Sequence, residues 1–382
     1  MTTNRREFLM TAGLSAAVAG ASAQEAQNEK PIRVAVIGTG SRGSGHLATL
    51  KTIPGFRVVA LADPTPENLD HAATLAPGAA TYSDYRKLLA ERKDLDAVVV
   101  VTPNFLHAEV AIAALDRGLS VLCEKPMATR VEDANRMIEA SRRSGKVLYI
   151  GFQKRLSPVT AKMKELAAAG EIGKIELASG NLFRGDWNPK SWKYTDPKTG
   201  VPTNWRYLAF TEGAALLEDG IHEVDSLNWM IDSPVVRVSA SGGNNVLKDR
   251  DTVDHVAAIF EYESGVKFTF DFCLFAPNAG PAARRMALIG SEGVIYPESG
   301  RVAICGRDAK AVRYVDAVDG TSAGGHGDRQ TYQQYLLFAQ SLREGKAPLV
   351  APESAKNVAK MILLAEKSLR EHRVANWNDL PA

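Results

Sequence analysis

The glycine-rich turn Gly38-Thr39-Gly40-Ser41-Arg42-Gly43 is the feature that most restricts how this chain can fold. It follows a β-branched apolar run, residues 32–37, and precedes a segment of helical character, residues 44–50. A G-x-G-x-x-G turn between a strand and a helix is typical of a dinucleotide-binding βαβ unit. Gly38 allows the tight turn, Gly40 lets the backbone approach a pyrophosphate, and Gly43 lets the helix pack on the strand. The helix N-terminus would then present its N–H groups to the phosphates.

A carboxylate at the end of the next apolar run strengthens this prediction. Asp63 follows residues 57–62 and lies 20 residues beyond Gly43. At that spacing a carboxylate accepts hydrogen bonds from the adenosine ribose and repels a 2′-phosphate. The sequence therefore predicts NAD as the cofactor and disfavours NADP.

Strands and helices continue to alternate up to residue 151. Apolar runs at 97–101, 119–122 and 146–151 are separated by helical patterns at 81–92, 107–117 and 131–144. This alternation predicts a parallel sheet whose ligands lie at the carboxyl ends of the strands. The residues that fall at that edge are predicted to contact the cofactor, and beside the turn (Gly38 to Gly43) and Asp63 they are Thr102, Pro103, Asn104, His107, Glu124, Lys125 and Gln153.

Lys125 is the first candidate catalytic residue. It stands in Cys123-Glu124-Lys125-Pro126, where a buried apolar run ends. An amine at a strand end beside an apolar wall can be poised for proton transfer. The alternative is a surface lysine that merely ends the strand.

In the second half of the chain, strand patterns follow one another and no longer alternate with helical patterns. A helical pattern at 157–169 is followed by strand patterns at 174–182, 235–242, 255–262, 266–274, 284–289 and 302–305. Consecutive strands without helices between them predict an antiparallel sheet, with a hairpin turn at residues 263–265. One face of such a sheet often packs against a second subunit, so we expect a homo-oligomer, a dimer or a tetramer. Helical patterns at 332–344 and 352–371 are expected to close the fold against the first domain.

A second candidate site interrupts those strands. On a helix, Glu218, His222 and Asp225 would share one stripe, which predicts that Glu218 orients the imidazole and raises its basicity. Asp219 would point about 100° away, from the helical period. His222 is the candidate base, and the alternative is a core histidine bound to a backbone carbonyl. Glu and His at this spacing can also be metal ligands, but no third ligand follows at a recognisable offset, so no metal is predicted.

Taken in order, the strand–GTGSRG–helix unit, Asp63, the TPNxxH segment (Thr102 to His107) and the CEKP segment resemble the Gfo/Idh/MocA oxidoreductase family, over residues 31–372. The resemblance implies an α/β protein with an N-terminal Rossmann domain and a C-terminal α/β domain with a large, mostly antiparallel open sheet. It also implies sugars, cyclitols or their acids as substrates. Lys125 matches the family's active-site lysine, and the Lys125–Pro126 peptide is expected to be cis. Residues 218–225 are similar to the D-x-G-x-H-x-x-D segment, with Glu218 where the family usually has Asp.

Aromatic residues between positions 183 and 207 could form a stacking wall for sugar rings. They are Trp187, Trp192, Tyr194, Trp205 and Tyr207, with Asn204 and Arg206 as hydrogen-bonding partners. The alternative is that this segment packs onto the sheet or onto a neighbouring subunit. The predicted substrate contacts are Arg155, Asn181, Trp205, Arg206, Tyr207, Asp219 and His222, and the loop residue His326 is a further candidate.

The N-terminus resembles a bacterial twin-arginine signal. Arg5 and Arg6 precede a mildly apolar stretch, residues 11–20, and an A-x-A cleavage site at 21–23. We expect residues 1–23 to be a signal peptide, residues 24–30 a linker, and the protein to be exported folded to the periplasm or secreted. The alternative is a disordered basic tail. The apolar stretch is too short to span a bilayer, so no membrane contact is expected after the signal is removed.

Composition excludes some partners. Lys and Arg total 46 against 44 Asp and Glu, which gives no sign of a nucleic-acid partner. Three scattered cysteines do not suggest a disulfide framework or a zinc site.

The domains are predicted as 31–151 for the Rossmann unit, 152–345 for a substrate and oligomerisation domain, and 346–382 for a C-terminal helix that packs back on the first domain. The predicted function is an exported NAD(P)-dependent oxidoreductase with a tightly held cofactor, which transfers a hydride to or from a secondary alcohol or carbonyl of a sugar or cyclitol. One alternative is an NAD-dependent glycosidase or lyase that acts by transient oxidation and elimination. Another is a catalytically silent, NAD-loaded binding protein.

Overall fold

Six parallel strands form the first sheet of the computed structural model, which describes residues 30–187, 193–195, 202–208, 215–277, 284–317 and 329–382. The strands are β1 (Ile32–Ile37), β2 (Phe56–Ala62), β3 (Ala80–Tyr82), β4 (Ala97–Val100), β5 (Ser120–Glu124) and β6 (Leu148–Gly151). Their order, β3-β2-β1-β4-β5-β6, reverses direction at β1 and β4, where doubly wound sheets bind ligands. The predicted Rossmann sheet is confirmed.

Helices connect these strands. They are α1 (Ser41–Leu50), α2 (Pro66–Leu75), α3 (Tyr85–Glu91), α4 (His107–Leu115) and α5 (Val131–Ser144). The single helix predicted over 81–92 is wrong at its start, because Thr81 lies in edge strand β3. Helix α3 begins only after Asp84, whose side chain accepts a hydrogen bond from the backbone N–H of Arg86 at 2.8 Å. Helix α2 was not predicted.

The second sheet has nine strands in the order β16-β15-β14-β13-β7-β12-β11-β10-β17. They are β7 (Ile175–Phe183), β10 (Val235–Gly243), β11 (His255–Tyr262), β12 (Lys267–Cys273), β13 (Arg284–Gly290), β14 (Gly293–Glu298), β15 (Arg301–Gly306), β16 (Arg313–Asp316) and β17 (Ala375–Asn376). Short strands β8 (Lys193–Thr195) and β9 (Pro202–Asn204) pair separately. Only β7 and β12 run parallel, so the predicted mostly antiparallel sheet is confirmed. The predicted turn at 263–265 is also present, with Gly265 at φ 92°.

One face of this sheet carries the helices. Phe268, Phe270 and Phe272 point from β12 into a core that also contains Leu227. The helices are α6 (Pro158–Ala168), α7 (Ile221–Ile231) and α9 (Pro352–Glu371), and a π-helical turn, Leu216–Gly220, leads into α7. On the opposite face Ile259 and Leu177 are exposed.

Helix α8 (Arg329–Glu344) packs in the core of the first sheet, although it follows eight of the nine strands of the second sheet in the chain. Phe338 lies against Phe56 and Tyr149, with ring centroids 6.5 and 5.8 Å away, and Tyr335 packs beside them. The predicted boundaries at residues 151 and 345 stay predictions. Within the described ranges, no helix is long and apolar enough to cross a membrane.

Candidate functional site

The glycine turn has the shape of a phosphate cradle. Gly38 has φ 90°, and a Cβ there would lie 2.4 Å from the carbonyl oxygen of Val101. A Cβ at Gly43 would lie 2.1 Å from the carbonyl oxygen of Gly38. At Gly40, by contrast, a Cβ would come no nearer than 3.8 Å to a described atom, so the backbone there is open. Among the residues that the structure describes, no side chain caps the N-terminus of α1, and the first turn of this helix has no acidic residue, which suits an anionic ligand.

Asp63 is held beside this turn. Its Oδ2 accepts a hydrogen bond from the backbone N–H of Thr39 at 2.8 Å. Its Oδ1 accepts from the backbone N–H of Thr65 at 2.9 Å and from Asn68 Nδ2 at 3.1 Å. These bonds fix the carboxylate at the carboxyl end of β2, where the sequence predicts a ribose. The donors and the acceptor therefore fit the dinucleotide that the motif implies.

The loop after β5 contains the expected cis peptide between Lys125 and Pro126. The ring nitrogens of His107 lie 2.7 Å from the carbonyl oxygen of Pro126 and 2.9 Å from that of Thr102. His107 was predicted to contact the cofactor, but its buried imidazole instead connects the loops that follow β4 and β5. Burial lowers the pKa of this imidazole.

Glu124 is also enclosed by protein. Its Oε1 accepts from Arg42 Nε and contacts His46 Nε2, both at 2.8 Å, and Lys125 N–H donates to its Oε2 at 3.1 Å. Burial raises the pKa of Glu124, but Arg42 and His46 outweigh it and hold that pKa well below its usual range. Gln153, with its amide oxygen turned to Arg42, accepts a hydrogen bond from it at 3.0 Å.

The same network reaches helix α8, because Arg42 Nη2 donates to Thr331 at 3.1 Å and His46 Nδ1 lies 2.7 Å from the hydroxyl of Tyr335. Arg42 and Glu124 were predicted to bind the cofactor, whereas their described contacts join the glycine turn to β5 and α8. The sequence pattern did not indicate His46 or Tyr335. His46 follows Gly43 by three residues, which is the signal that could have indicated it.

Glu218 is the centre of the catalytic candidates. Lys125 Nζ donates to the backbone oxygen of Glu218 at 2.7 Å and to Oε2 at 3.2 Å. Asn104 Nδ2 donates to the same Oε2 at 3.0 Å, and Arg206 Nε donates to Oε1 at 2.8 Å. Burial alone would raise the pKa of Glu218, but the nearby charges of Arg206 and Lys125 lower this pKa by more, so the carboxylate stays ionised.

The predicted pairing of Glu218 with His222 is wrong. The π-helical turn at Leu216–Gly220 has a wider spacing than an α-helix, so the i, i+4 alignment does not hold across it. Within the described residues, the buried Nδ1 of His222 has no hydrogen-bond partner. Burial, Lys154 and Lys125 hold the pKa of His222 well below 6.5, so its basicity is lowered, not raised, and the imidazole is neutral at neutral pH.

Several predicted substrate contacts are used inside the protein. Arg155, predicted to meet the substrate, instead forms a buried ion pair with Asp225 through bonds of 2.9 and 2.6 Å. Asp219 accepts from Arg184 at 2.6 Å and from the indole of Trp187 at 2.9 Å.

The aromatic segment packs inward. The Arg206 guanidinium carbon lies 4.2 Å from the ring centroid of Trp205, and Arg250 lies 3.9 Å from that of Tyr207. Both rings and Trp187 are buried, which favours the packing alternative over a sugar-stacking wall. Asn181 is buried in β7. Trp192 and His326 lie outside the described residues, and Tyr194 is described only as part of strand β8.

Two lysines lie near His222, since both lower the pKa of its imidazole. The side chains of Lys125 and Lys154 are 16% and 26% exposed, and His222 is half-buried. Lys154 was not predicted, although its position next to Gln153, just after β6, could have indicated it. The described ranges contain no group of three His, Cys, Asp or Glu side chains that could hold a metal ion.

Two family models match the chain. The first is described as an oxidoreductase family with an NAD-binding Rossmann fold and matches residues 32–152. The second is the GFO/IDH/MocA C-terminal domain, which matches residues 160–296. The prediction of NAD as the cofactor of the first domain is confirmed.

Individual proteins agree with these models. Inositol 2-dehydrogenase 3 of Saccharopolyspora erythraea is 33% identical over 62% of this chain and 64% of its own length. An inositol 2-dehydrogenase of Salmonella typhimurium is matched over 54% of its length, so the chain spans a little over half of several such relatives. The scyllo-inositol 2-dehydrogenase (NAD(+)) of Bacillus subtilis is 26% identical over 90% of this chain and 95% of its own. Levoglucosan dehydrogenase, in complex with NADH and levoglucosan, has a TM-score of 0.77 at 22% identity, over 92% of this chain and 100% of that one, and shares the fold.

Proposed function

Because this chain belongs to the Gfo/Idh/MocA oxidoreductase family, we propose that it is an NAD-dependent dehydrogenase that oxidises a secondary alcohol of a sugar or cyclitol, or reduces the matching carbonyl. The names of its relatives support this substrate class, since they include inositol 2-dehydrogenases. The observation that carries the proposal is the anchoring of Lys125 on Glu218 at the carboxyl edge of the first sheet, near His222, whose pKa Lys125 helps to lower.

The chain's own groups would hold the cofactor at that edge. The backbone of Gly38 to Gly43 would bind the pyrophosphate, and Asp63 would bind the adenosine ribose. Bound NAD supplies a hydride acceptor at its nicotinamide ring.

Lys125 and His222 have different roles toward the substrate: Lys125 orients its hydroxyl group, and His222 accepts the hydroxyl proton. An ammonium has three N–H donors, and Glu218 accepts from Lys125 Nζ at two positions, which leaves one donor to orient the substrate hydroxyl oxygen. His222 is neutral, so its imidazole can accept the hydroxyl proton. Glu218 acts as a positioning residue for Lys125.

The test is NADH formation from a panel of inositols, levoglucosan and hexoses. Lys125→Met should reduce turnover by about 10²–10⁴, the usual contribution of a positioned acid–base group, while NAD binding is retained. Lys174→Met, at an exposed lysine paired with Glu176, is the matched control. Unchanged turnover in Lys125→Met would contradict the proposal and favour the silent binding protein. Release of aglycone from a glycoside without added NAD would favour the glycosidase or lyase instead.

We also propose that the protein is exported through residues 1–23, as Arg5 and Arg6 suggest, and that it keeps its cofactor during turnover. Replacing both arginines with lysine should retain the protein in the cytoplasm, as judged by fractionation. Recovery of the variant from the periplasm in wild-type amounts would contradict export by this route.

The open face of the second sheet supports a homo-oligomer, because Ile259 and Leu177 expose apolar surface there. Ile259→Asp should lower the mass measured by light scattering. Val246→Asp, at an exposed position in the loop between β10 and β11, should leave the mass unchanged.

A further inference from the structure

Arg250 is a buried arginine in the loop between β10 and β11, residues 244–254, and its side chain is 0% exposed. It donates two hydrogen bonds to the carboxylate of Asp186, from Nη1 to Oδ1 at 2.6 Å and from Nη2 to Oδ2 at 2.7 Å. Its guanidinium carbon also lies 3.9 Å from the ring centroid of Tyr207. A planar guanidinium that binds a carboxylate through two bonds and stacks on a ring is held in one orientation.

The loop that carries Arg250 is itself fixed by internal hydrogen bonds. The buried carboxylate of Asp254 accepts from the backbone N–H groups of Val246 and Leu247 at 2.6 and 2.8 Å. Asn244 Nδ2 donates to the backbone oxygen of Arg250 at 2.8 Å. The loop therefore presents the guanidinium from a defined backbone position.

The first contact of Arg250 leads to the π-helical turn through Asp186 and the residue that follows it. The backbone N–H of Trp187 donates to Asp186 Oδ1 at 2.7 Å. The indole N–H of the same tryptophan donates to Asp219 Oδ2 at 2.9 Å. Arg250 therefore fixes the residue next to the one that holds Asp219 in the π-helical turn.

The second contact leads to the same turn through Tyr207. The backbone N–H of Asp251 donates to the backbone oxygen of Tyr207 at 3.1 Å, so the loop holds both the ring and the backbone of this residue. Arg206 precedes Tyr207 in a 3₁₀-helical turn, Trp205–Tyr207, and its Nε donates to Glu218 Oε1 at 2.8 Å. Because neighbouring residues of such a tight turn move together, the position of Tyr207 limits where Arg206 can meet Glu218.

These two paths end on adjacent residues, and one of them is the anchor of Lys125. Lys125 Nζ donates to the backbone oxygen and to Oε2 of Glu218. Arg206 holds the same residue through Oε1, the other oxygen of its carboxylate. A shift of Glu218 would therefore change the direction in which the amine presents its remaining N–H donor.

We propose that Arg250 is a positioning residue for the reaction, which keeps Lys125 in place by fixing Glu218. This inference rests on the proposed function for the role of Lys125, and it adds a residue from a loop of the second sheet to that site. Loss of Arg250 should loosen the amine without removing a group that binds cofactor or substrate. The rate of turnover should then fall, while both ligands still bind.

Kinetics test this expectation. Arg250→Met should lower kcat by about tenfold, and by no more than the roughly hundredfold that a misplacement of about 1 Å can cost. The ratio kcat/KM should fall by the same factor, and KM for NAD and for the polyol should stay within about twofold. In the Lys125→Met background the same substitution should change kcat by less than about twofold, since the residue through which Arg250 acts is already absent. A general loosening of the fold would instead multiply the two effects.

A second measurement does not depend on turnover. Reductive methylation of the protein, followed by mass spectrometry of its peptides, gives the rate at which the amine of Lys125 reacts. An ammonium held in an ion pair reacts slowly, because only a free and neutral amine attacks the aldehyde. Arg250→Met should raise this rate by about threefold to tenfold, the equivalent of one weakened hydrogen bond. The exposed Lys174 should react equally in both proteins.

Arg92→Met is the matched control. Arg92 also binds one carboxylate through two bonds, to Asp94 at 2.7 and 2.8 Å, but it lies at the end of α3. Its replacement should leave kcat and the methylation rate of Lys125 unchanged. If Arg250→Met does not fold, Asp186→Asn weakens the same ion pair from a partly exposed side chain and should give smaller changes in the same directions.

An unchanged kcat in Arg250→Met, or effects of Arg250→Met and Lys125→Met that multiply, would overturn the inference. An unchanged methylation rate would overturn it as well, whatever the turnover. Absence of turnover in the wild-type protein would refute only the dehydrogenase, and the methylation rates would then decide whether Arg250 holds the amine in place.

Discussion

Replacing Glu218 with glutamine should destabilise the protein, because Arg206 and Lys125 would lose the counter-ion that they share. The side chains of Glu218, Arg206 and Lys125 are only 4%, 10% and 16% exposed, so water cannot replace the lost charge effectively. Removing one partner of a buried ion pair costs about 3–5 kcal/mol. With an unfolding entropy of about 2.1 cal/mol/K per residue over 382 residues that unfold together, this cost lowers Tm by about 4–6 °C.

The chain offers a matched control for this experiment. Glu371 also lies between a lysine and an arginine, at 2.6 Å from Lys367 and 2.7 Å from Arg373, but Glu371 is exposed at the end of α9. Glu371→Gln should therefore lower Tm by much less than Glu218→Gln does. Differential scanning calorimetry of both variants at neutral pH compares the two sites. Equal shifts in Tm would refute the argument that burial makes the Glu218 charge important.

The effect of Glu218→Gln should also depend on pH. The folded-state pKa of Glu218 is depressed, whereas an unfolded glutamate titrates near about 4.3. A depressed carboxyl pKa contributes stability above the unfolded pKa, and this contribution is lost as pH falls towards the folded value. The difference between wild type and Glu218→Gln should therefore be full at pH 7 and shrink below about pH 4. A difference that stays constant across this range would contradict the assignment.

Three further predictions concern the cofactor turn and the base. Gly43→Ala should lower the free energy of unfolding by about 1–3 kcal/mol, because the added Cβ would collide with backbone atoms. Gly45→Ala in the same helix should raise it by about 0.5–1 kcal/mol, because its Cβ would meet nothing within 4 Å. Thermal unfolding measures both changes. Asp63→Ser should weaken NAD binding by about tenfold or more and narrow the preference over NADP, as measured by fluorescence titration, since a charged hydrogen-bond acceptor is lost. Because the pKa of His222 is lowered, kcat/KM should stay level as pH falls through 6.5 and decline only at more acidic pH; a decline centred on 6.5 would argue against His222 as the base.

The features that could be predicted from the sequence are those set by local pattern. Helices Val131–Ser144 and Pro352–Glu371 have the predicted bounds because their apolar spacing is regular and their ends carry clear signals. Gly145 with φ 65° ends the first, and Pro352 begins the second. The three-residue strand β3 and the two-residue strand β17 are too short to show a period, and their pairing depends on distant neighbours.

The site divides in the same way. The glycine turn, Asp63 and Lys125 lie at strand ends that the sequence indicates directly. The partners of Glu218 could not be predicted, because Lys125 and Asn104 are 93 and 114 residues away and the π-helical turn disrupts the helical spacing. The prediction that Arg155 contacts the substrate is wrong for a similar reason, since its partner Asp225 is 70 residues further along the chain.

The position of helix α8 determines whether the nucleotide-binding half can be used as an isolated domain. Tyr335 and Phe338 cover one side of the first sheet, yet they are synthesised only after eight of the nine strands of the second sheet. In a fragment that ends at residue 152, Phe56 and Tyr149 would be exposed to water, and His46 would lose its hydrogen bond to Tyr335. An isolated first domain of this protein should therefore include α8, joined to it by a linker.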